Sequence, residues 1–568
     1  MKEKEILQKL QDKLKEPEIY LKEAKERGLL VEEYLFSKNL IPAEEFLKAK
    51  GEVYNLPIKI FEIEEKIPKE ALAKIPEKTA FAAKVLPLTI VNGVLYLGVV
   101  DPDFVPTKKL IESLYQAGEK LQIFLISIQD FYTHLEDYYE FESVVKGILQ
   151  SYRGIVSKVI EEEKPISLSQ EIIPSEEAPI IRLLEIIIRK AVAMQASDIH
   201  LEPLPDKSRV KFRLFGDLKT LIYLPKDVHY SLVNRVKVLT RLKLDETRIP
   251  QDGRFRAFVM GREIDFRVGI FPTINGEKVA IRILDPLVGL KNIEDLGLAE
   301  YHLEMIEKNL NKAFGMILVT GPTGSGKTTT LYAFVNKLNE ESVNIVSLED
   351  PVEYRLIGIN QSQIKPEINY TFASGLREIL RQDPDIILVG EIRDEETAQL
   401  AIHAALTGHI VLTTLHTNTA SGAIPRLIDM GVKPYFIPST INLVISQRLV
   451  RRLCNNCLEE TQIPNSLLNE IQDVLNDAPQ FIKEQITELK FYKGKGCEVC
   501  HKRGYIGRVG LFEMFEMDPE IGQIVINGGS ELDILKKIKE KNFINLRLDG
   551  IIKAIRKMVD IEEVLQVA

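Results

Sequence analysis

Gly321-Pro322-Thr323-Gly324-Ser325-Gly326-Lys327-Thr328-Thr329-Thr330 follows directly on the apolar run Met316-Ile317-Leu318-Val319. A strand, a glycine-rich loop and a helix in that order make a phosphate-binding loop. Its glycines let backbone N–H groups curl around a β-phosphate, and the following helix adds the positive end of its dipole. In that frame Lys327 reaches the β/γ oxygens and the Thr328 hydroxyl ligates Mg²⁺, while Gly321, Pro322, Thr323, Gly324, Ser325, Gly326 and Thr329 complete the cradle. The chemistry expected here is binding of a nucleoside triphosphate with magnesium.

Cleaving that triphosphate requires carboxylates. Asp385-Ile386-Ile387-Leu388-Val389-Gly390-Glu391 reads as a buried strand ending in an acidic residue, where a carboxylate holds the water shell of Mg²⁺. Leu348-Glu349-Asp350-Pro351-Val352-Glu353-Tyr354 places three more carboxylates at the end of another strand. One of them must orient or deprotonate water, and the others are open to the plainer reading of loop caps. Thr407-Gly408-His409 and Thr414-Leu415-His416-Thr417 bracket the next strand. An imidazole there can sense a γ-phosphate, although a single histidine is more often an ordinary core or surface residue.

All four cysteines fall late in the chain, as Cys454-Asn455-Asn456-Cys457 and Cys497-Glu498-Val499-Cys500. Two Cys-x-x-Cys pairs supply four thiolates for tetrahedral Zn²⁺, a closed and therefore structural site. The spacing between the pairs is longer than in a compact zinc ribbon, which leaves four reduced structural thiols as the alternative.

These groups need a frame. From about residue 295, apolar runs at 316–319, 343–348, 385–389 and 409–414 alternate with helical segments, which predicts a parallel sheet covered on both faces. Upstream, 1–140 reads as a small α+β domain with a hairpin turn at Asn92-Gly93, and 141–177 as a charged, flexible linker. A second α+β domain over 178–295 contains a helix at 180–195 and strands around 209–214 and 262–268. The nucleotide-binding domain is expected over 296–450, followed by a C-terminal region over 451–568 with the cysteines and a helical end. A chain of 568 residues has room for several such domains. Its formal net charge of -9 argues against a nucleic-acid machine. Apolar runs are too short to cross a bilayer, and the charged start Met1-Lys2-Glu3-Lys4-Glu5 lacks a signal-peptide core, so a cytoplasmic location is expected.

Taken together, GPTGSGKTTT, LEDPVEY, the run from Phe372 to His409 and LTTLHTN closely resemble the GspE/PilB secretion-ATPase superfamily. Ala196-Ser197-Asp198-Ile199-His200-Leu201-Glu202-Pro203, Pro250-Gln251-Asp252-Gly253-Arg254 and Asp265-Phe266-Arg267-Val268 resemble that family's PAS-like domain. The resemblance implies a RecA-like P-loop ATPase core behind a PAS-like α+β domain and an N-terminal GspE/PilB-type α+β domain. It makes Glu391 the Walker B glutamate, Glu353 the preferred water-activating carboxylate with Glu349 as rival, and His409 and His416 the histidine box. Arg267 and Arg282 match arginines that reach a neighbouring subunit's nucleotide. The implied cofactors are ATP, Mg²⁺ and Zn²⁺, since extension and type II secretion ATPases carry the tetracysteine site and retraction ATPases lack it. The implied assembly is a homo-hexamer on the cytoplasmic face of the inner membrane, acting on a membrane platform protein and not on nucleic acid. Pilus extension is the expected task, with type II secretion as alternative; a nucleic-acid translocase and a weakly hydrolysing scaffold are the competing classes. Two departures stand out. Lys211-Phe212-Arg213-Leu214-Phe215-Gly216 replaces the usual Arg-x-Arg-x-Asp-Gly, and Leu30-Val31-Glu32 replaces the Arg-Leu-Gly associated with cyclic-di-GMP, a ligand therefore not expected.

Overall fold

In the computed structural model, Asn92 and Gly93 both adopt left-handed backbone, φ 50° and 74°. That is what a tight turn between two right-twisted strands requires, and it joins β1 (Val85–Val91) to β2 (Val94–Val99) as the expected antiparallel hairpin. The structure describes residues 2–10, 14, 17–26, 29–38, 40–61, 65–138, 141, 143–151, 177–214, 216–486, 488–497, 500 and 502–568. Contacts divide the chain into two compact units, Met1–Pro286 and Leu287–Ala568.

In the first unit, helices Lys2–Lys9, Val31–Ser37 and Ala43–Tyr54 bury Ile6, Leu7, Leu35, Phe46 and their neighbours in one core. After β2 the chain passes through helix Val105–Gln116 and returns as β3 (Lys120–Leu125), parallel to β2. Of the expected linker, residues 143–151 are helical, while 152–176, which hold most of its charged stretches, lie outside the described residues. The helix expected at 180–195 spans Glu177–Ala193. Six antiparallel strands follow: β4 (Asp198–Pro203), β5 (Lys207–Leu214), β6 (Asp217–Pro225), β7 (Gln251–Val259), β8 (Arg262–Thr273) and β9 (Gly276–Leu284). Their order is β6-β5-β4-β9-β8-β7. Alternating residues such as Ile199, Leu201, Val210 and Phe212 are buried, and helix Lys226–Thr240 packs on the sheet. Phe215, at the departure from the family turn, lies outside the described residues.

In the second unit the apolar runs become β10 (Gly315–Thr320), β11 (Ile345–Glu349), β13 (Ile386–Val389) and β14 (Ile410–Leu415), with β12 (Asn360–Gln363) at one edge. Adding β15 (Ile441–Leu453) and β18 (Tyr505–Glu516) gives a seven-stranded sheet in the order β12-β11-β13-β14-β10-β15-β18. The strands are parallel except β18, which pairs antiparallel with β15. Successive residues feed opposite cores: Met316, Leu318, Ile387 and Val411 on one face, Ile317, Val319, Leu388 and Leu412 on the other. Burial on both faces is the reason these strands read as continuous apolar runs instead of alternating ones. The border expected at 450 falls inside β15, because β18 returns from the C-terminal stretch to cover the edge that β15 would otherwise expose. Between them β16 (Leu458–Thr461) and β17 (Phe491–Gly494) form a separate ribbon. Among the described residues, no helix is long and apolar enough to cross a membrane.

Candidate active site

The phosphate loop leaves the carboxyl end of β10 and runs into helix Lys327–Leu338. Gly321, Gly324 and Gly326 sit at φ 143°, 80° and 91°, conformations that side-chain-bearing residues adopt only with strain. A Cβ on Gly321 would lie 2.5 Å from the Gln447 carbonyl oxygen, and one on Gly326 2.8 Å from Gln447 Nε2, so neighbouring β15 also forbids larger residues. Lys327 Nζ rests over the loop on the carbonyls of Gly321 (2.9 Å) and Pro322 (3.1 Å). Burial holds its ammonium below the ordinary lysine range, with Glu391 opposing that and Arg448 adding to it. Thr328 is exposed, while the Ser325 hydroxyl is buried without a hydrogen-bond partner in the protein. Left-handed glycines, a helix N-terminus, a reachable lysine and threonine, and an orphaned hydroxyl fit a magnesium-bound nucleotide triphosphate.

The carboxylates line up along the same sheet edge. Val389 is in register with both Thr413 of β14 and Leu348 of β11, which brings Glu391, His416 and Glu349 to the carboxyl ends of adjacent parallel strands, the usual crevice for ligands in open α/β sheets. Glu391 is 8% exposed. One of its oxygens is 2.5 Å from Arg393 Nη2 and the other 3.2 Å from His416 Nε2. Glu349, 3% exposed, accepts from Tyr332 Oη, from Ser347 Oγ at 2.6 Å and from Gln361 Nε2 at 3.1 Å. Burial pushes its carboxyl up, and those three donors pull it part of the way back. Glu353 is half-buried, and its backbone N–H donates to Tyr332 Oη at 3.2 Å.

The two histidines separate. His416 closes on Glu391, but His409 lies at the amino end of β14, beside the start of β10, where its Nδ1 meets the Ala404 carbonyl at 2.9 Å and Thr407 Oγ1 at 3.2 Å. The strand's six residues put roughly 20 Å, at about 3.3 Å each, between the two. His409 therefore ties down the end of helix Glu395–Leu406 and stands away from the phosphate loop.

Arg267 and Arg282 lie in the first unit, directly opposite each other on β8 and β9. The row continues across the sheet: Arg254 opposes Arg267, and Asp198 opposes both Arg282 and Arg213. Asp198 bridges the last two, with Nε to oxygen distances of 3.3 Å each.

Cys454, Cys457, Cys497 and Cys500 converge at the base of the β16–β17 ribbon with all four sulfurs within 4.8 Å of one another. Glu498 and Val499, inside the second pair, lie outside the described residues. The 3.7 Å separations of Cys454–Cys497, Cys457–Cys500 and Cys497–Cys500 are far longer than a disulfide. Backbone N–H groups of Gly496, Cys497 and Gly504 point at the sulfurs of Cys457 and Cys500 at 3.1–3.3 Å. Burial pushes the thiols up, Cys454 to about 12, whereas at Cys500 the N–H groups of Cys497 and Gly504 with the neighbouring Cys497 and Cys457 thiols overcome it and hold that thiol at about 6. Four convergent sulfurs with N–H support fit a tetrahedral thiolate-bound metal such as Zn²⁺.

Sequence reasoning overlooked the groups that brace the site. Thr330 Oγ1 donates to Gln447 Oε1 at 2.7 Å, and Arg448 is anchored on the carbonyls of Asn418 (2.8 Å) and Gln447 (3.1 Å). Both come from β15, and only its register, Thr320 against Ser446, reveals them. Arg393 carried a usable signal, a cation two residues beyond Glu391.

A family model described as Type II/IV secretion system protein matches residues 174–566, and one described as MshEN domain matches 54–144. The chain is 43% identical over 392 residues to the type II secretion system protein E of Pseudomonas aeruginosa, covering 69% of this chain and 76% of the relative. With the type IV pilus assembly ATPase PilB of Myxococcus xanthus it shares 35% over 525 residues, 92% of this chain and 90% of the relative. The solved structure of the Yersinia pseudotuberculosis ATPase DotB matches with a TM-score of 0.51 at 19% identity, over 72% of this chain and 96% of that one, which speaks for the fold. With this phosphate loop and these carboxylates on a RecA-like sheet, the chain belongs to the type II/IV secretion system protein family and is a P-loop ATPase.

Proposed function

We propose that this ATPase works as a homo-hexamer at the cytoplasmic face of the inner membrane and turns ATP hydrolysis into extension of a type IV pilus through a membrane platform protein. The observation that carries the motor reading is the alignment of Lys327, Thr328, Glu391, His416 and the 349–353 carboxylates along one edge of a parallel sheet. Bound there, Mg²⁺–ATP supplies the cleavable phosphoanhydride and a divalent charge against its oxygens. Gly321, Pro322, Thr323, Gly324, Ser325, Gly326 and Thr329 shape the cradle around the phosphates. Lys327 offsets β/γ charge and the Thr328 hydroxyl offers an oxygen ligand. Glu391, held by Arg393 and His416, orients the metal's water shell. Glu353 takes the proton of the attacking water. Arg267 and Arg282 reach the nucleotide of a neighbouring subunit, which couples cleavage to motion between subunits. The four cysteines hold a structural Zn²⁺.

Coverage alone does not separate the two tasks, since the alignment with one pilus ATPase runs through 92% of the chain and with another through 69%, while type II secretion relatives reach 82%; pilus extension is put first and type II secretion second. The deciding experiment is identification of the inner-membrane protein that co-purifies with the chain: a pilus platform protein supports this reading, and a type II secretion platform protein replaces it with the second. Turnover of wild type, Glu391→Gln and Arg267→Ala tests the motor itself. Both variants should lose most activity, and adding Arg267→Ala chains to wild type should depress turnover beyond simple dilution. Unaltered activity in Arg267→Ala rejects the role in trans.

A further inference from the structure

We propose that Tyr332, Glu349 and Gln361 form a buried positioning device that sets the loop bearing Glu353 against the phosphate-loop helix. The proposal rests on the reading of Glu353 as the water-activating residue and gives its rival, Glu349, a different task.

Tyr332 lies on helix Lys327–Leu338, downstream of Lys327, and is 1% exposed. Its hydroxyl donates to Glu349 Oε2 while its oxygen accepts the Glu353 N–H at 3.2 Å, so one side chain joins the helix that starts at the phosphates to the loop that carries the carboxylate. Gln361, on edge strand β12, holds the same loop from its other side. Its Nε2 donates to Glu349 Oε1 at 3.1 Å and to the Tyr354 carbonyl at 3.0 Å, and its Oε1 accepts the Leu356 N–H at 2.8 Å. Three backbone groups of the loop, at Glu353, Tyr354 and Leu356, thus hang on two side chains, and both of those are fastened to one carboxylate. Ser347 Oγ supplies the third donor to that carboxylate, at 2.6 Å.

The chemistry of Glu349 follows from this arrangement. A general base must present a free lone pair within hydrogen-bond reach of the attacking water. The Glu349 carboxylate is 3% exposed and accepts from three protein donors, which suits an anchor and not a base. Glu353 is half-buried on the loop that the device fixes. A movement of the helix on nucleotide binding would be passed to Glu353 through the Tyr332 hydroxyl, since the tyrosine ring is also wedged edge-on against Tyr354, with centroids 6.3 Å apart at 74°.

Steady-state ATPase assays on the full chain test this, with Tyr332→Phe, Glu349→Gln, the double variant and Glu353→Gln. Tyr332→Phe keeps the packed ring and removes one hydroxyl. Because a misplacement of about 1 Å can cost about 100-fold, its kcat is expected to fall about 10- to 100-fold. KM for ATP and affinity for a non-hydrolysable analogue should stay within about twofold, and the melting temperature should hardly change. With one donor lost, Glu349 protonates more readily, so the acid limb of the kcat profile should move to higher pH. The double variant should fall no further than Glu349→Gln alone, as for two groups acting through one contact. Gln361→Leu should give the same split between kcat and KM, a check independent of Tyr332. Wild-type kcat in Tyr332→Phe, or a parallel loss of kcat and analogue binding, overturns the proposal. So does a dead Glu349→Gln beside an active Tyr332→Phe. Full turnover in Glu353→Gln is a separate result, which removes the underlying assignment of the base.

Discussion

Replacing Cys457 with serine should abolish metal binding at the four-sulfur cluster. Three of the sulfur–sulfur separations are 3.7 Å. The centre of a regular tetrahedron lies at about 0.61 of its edge from each vertex, so a four-sulfur shell with edges of that length would hold a metal at about 2.3 Å, the zinc–thiolate value. Wild-type protein should therefore carry about one zinc per chain, and its X-ray absorption should show a shell of sulfur alone at about 2.3 Å. In Cys457→Ser the stoichiometry should drop toward zero after dialysis against a chelator. The structural cost should be local. Structural zinc in small peptides is worth about 10–16 kcal/mol near neutral pH, more than the two short strands of the β16–β17 ribbon can replace, whereas β15 and β18 remain paired with each other in the main sheet. Limited proteolysis should accordingly cut the chain near 454–504 and leave the nucleotide core intact. Unchanged zinc content in Cys457→Ser, or a shell of nitrogen and oxygen, refutes the geometric reasoning.

His416→Ala should lower turnover at least about tenfold by freeing Glu391, while His409→Ala should leave kcat within about twofold; side-by-side ATPase assays check the pair. Stability should depend on pH through His302, which is 2% exposed and whose imidazole burial pushes down to about 4. The unfolded chain protonates this group below about 6.5 and the native state resists, so stability is full above that pH and is lost as pH falls toward 4. A depression of about 2.5 pH units corresponds to about 3 kcal/mol, and the pH slope of the unfolding midpoint should flatten in His302→Leu. Asp549 and Lys553 are 0% and 3% exposed; Asp549 Oδ2 receives Lys553 Nζ at 2.5 Å and the Phe512 N–H at 2.8 Å. Asp549→Ala leaves the Phe512 N–H without its acceptor and the Lys553 ammonium, still bonded to the Gly510 carbonyl at 2.6 Å, without its counter-charge, and should cost about 3–5 kcal/mol, much of it recovered in Asp549→Ala/Lys553→Met; denaturant titration of the variants measures both steps.

What was legible in the sequence was what local spacing controls. The phosphate loop is contiguous, the Asn92-Gly93 turn is dictated by backbone conformation, and strands buried on both faces announce themselves as apolar runs. Contacts set by register were not. Gln447 and Arg448 reach the loop only because β15 lies beside β10, more than a hundred residues further along the chain. Tyr332 reads as ordinary helix core until Glu349 is seen opposite its hydroxyl. The histidine pair shows the difference within a single strand. Both flank β14 in sequence, but a parallel sheet offers its crevice only at the carboxyl ends, so His416 lies by Glu391 and His409 at the far end of the strand. The border expected at 450 falls within β15 for a related reason, since an added antiparallel strand from 505–516 has no local signature that assigns it to one sheet or another.

The proposed role of Arg267 and Arg282 in trans is tested at the arginine row of the first unit. Arg254, Arg267 and Arg282 stand opposite one another on three neighbouring strands, where like charges repel and weaken the pairing. Asp198 relieves the far end by bridging Arg282 and Arg213. The arginines beside the phosphate loop are engaged with their own unit: Arg393 holds Glu391, and Arg448 holds the carbonyls of Asn418 and Gln447. A triphosphate gripped by Lys327 develops charge at its γ-oxygens that these held groups serve only indirectly. Under the proposed reading, a second copy of the chain would bring this row to the loop, and Arg267→Ala should then lose turnover while keeping nucleotide affinity.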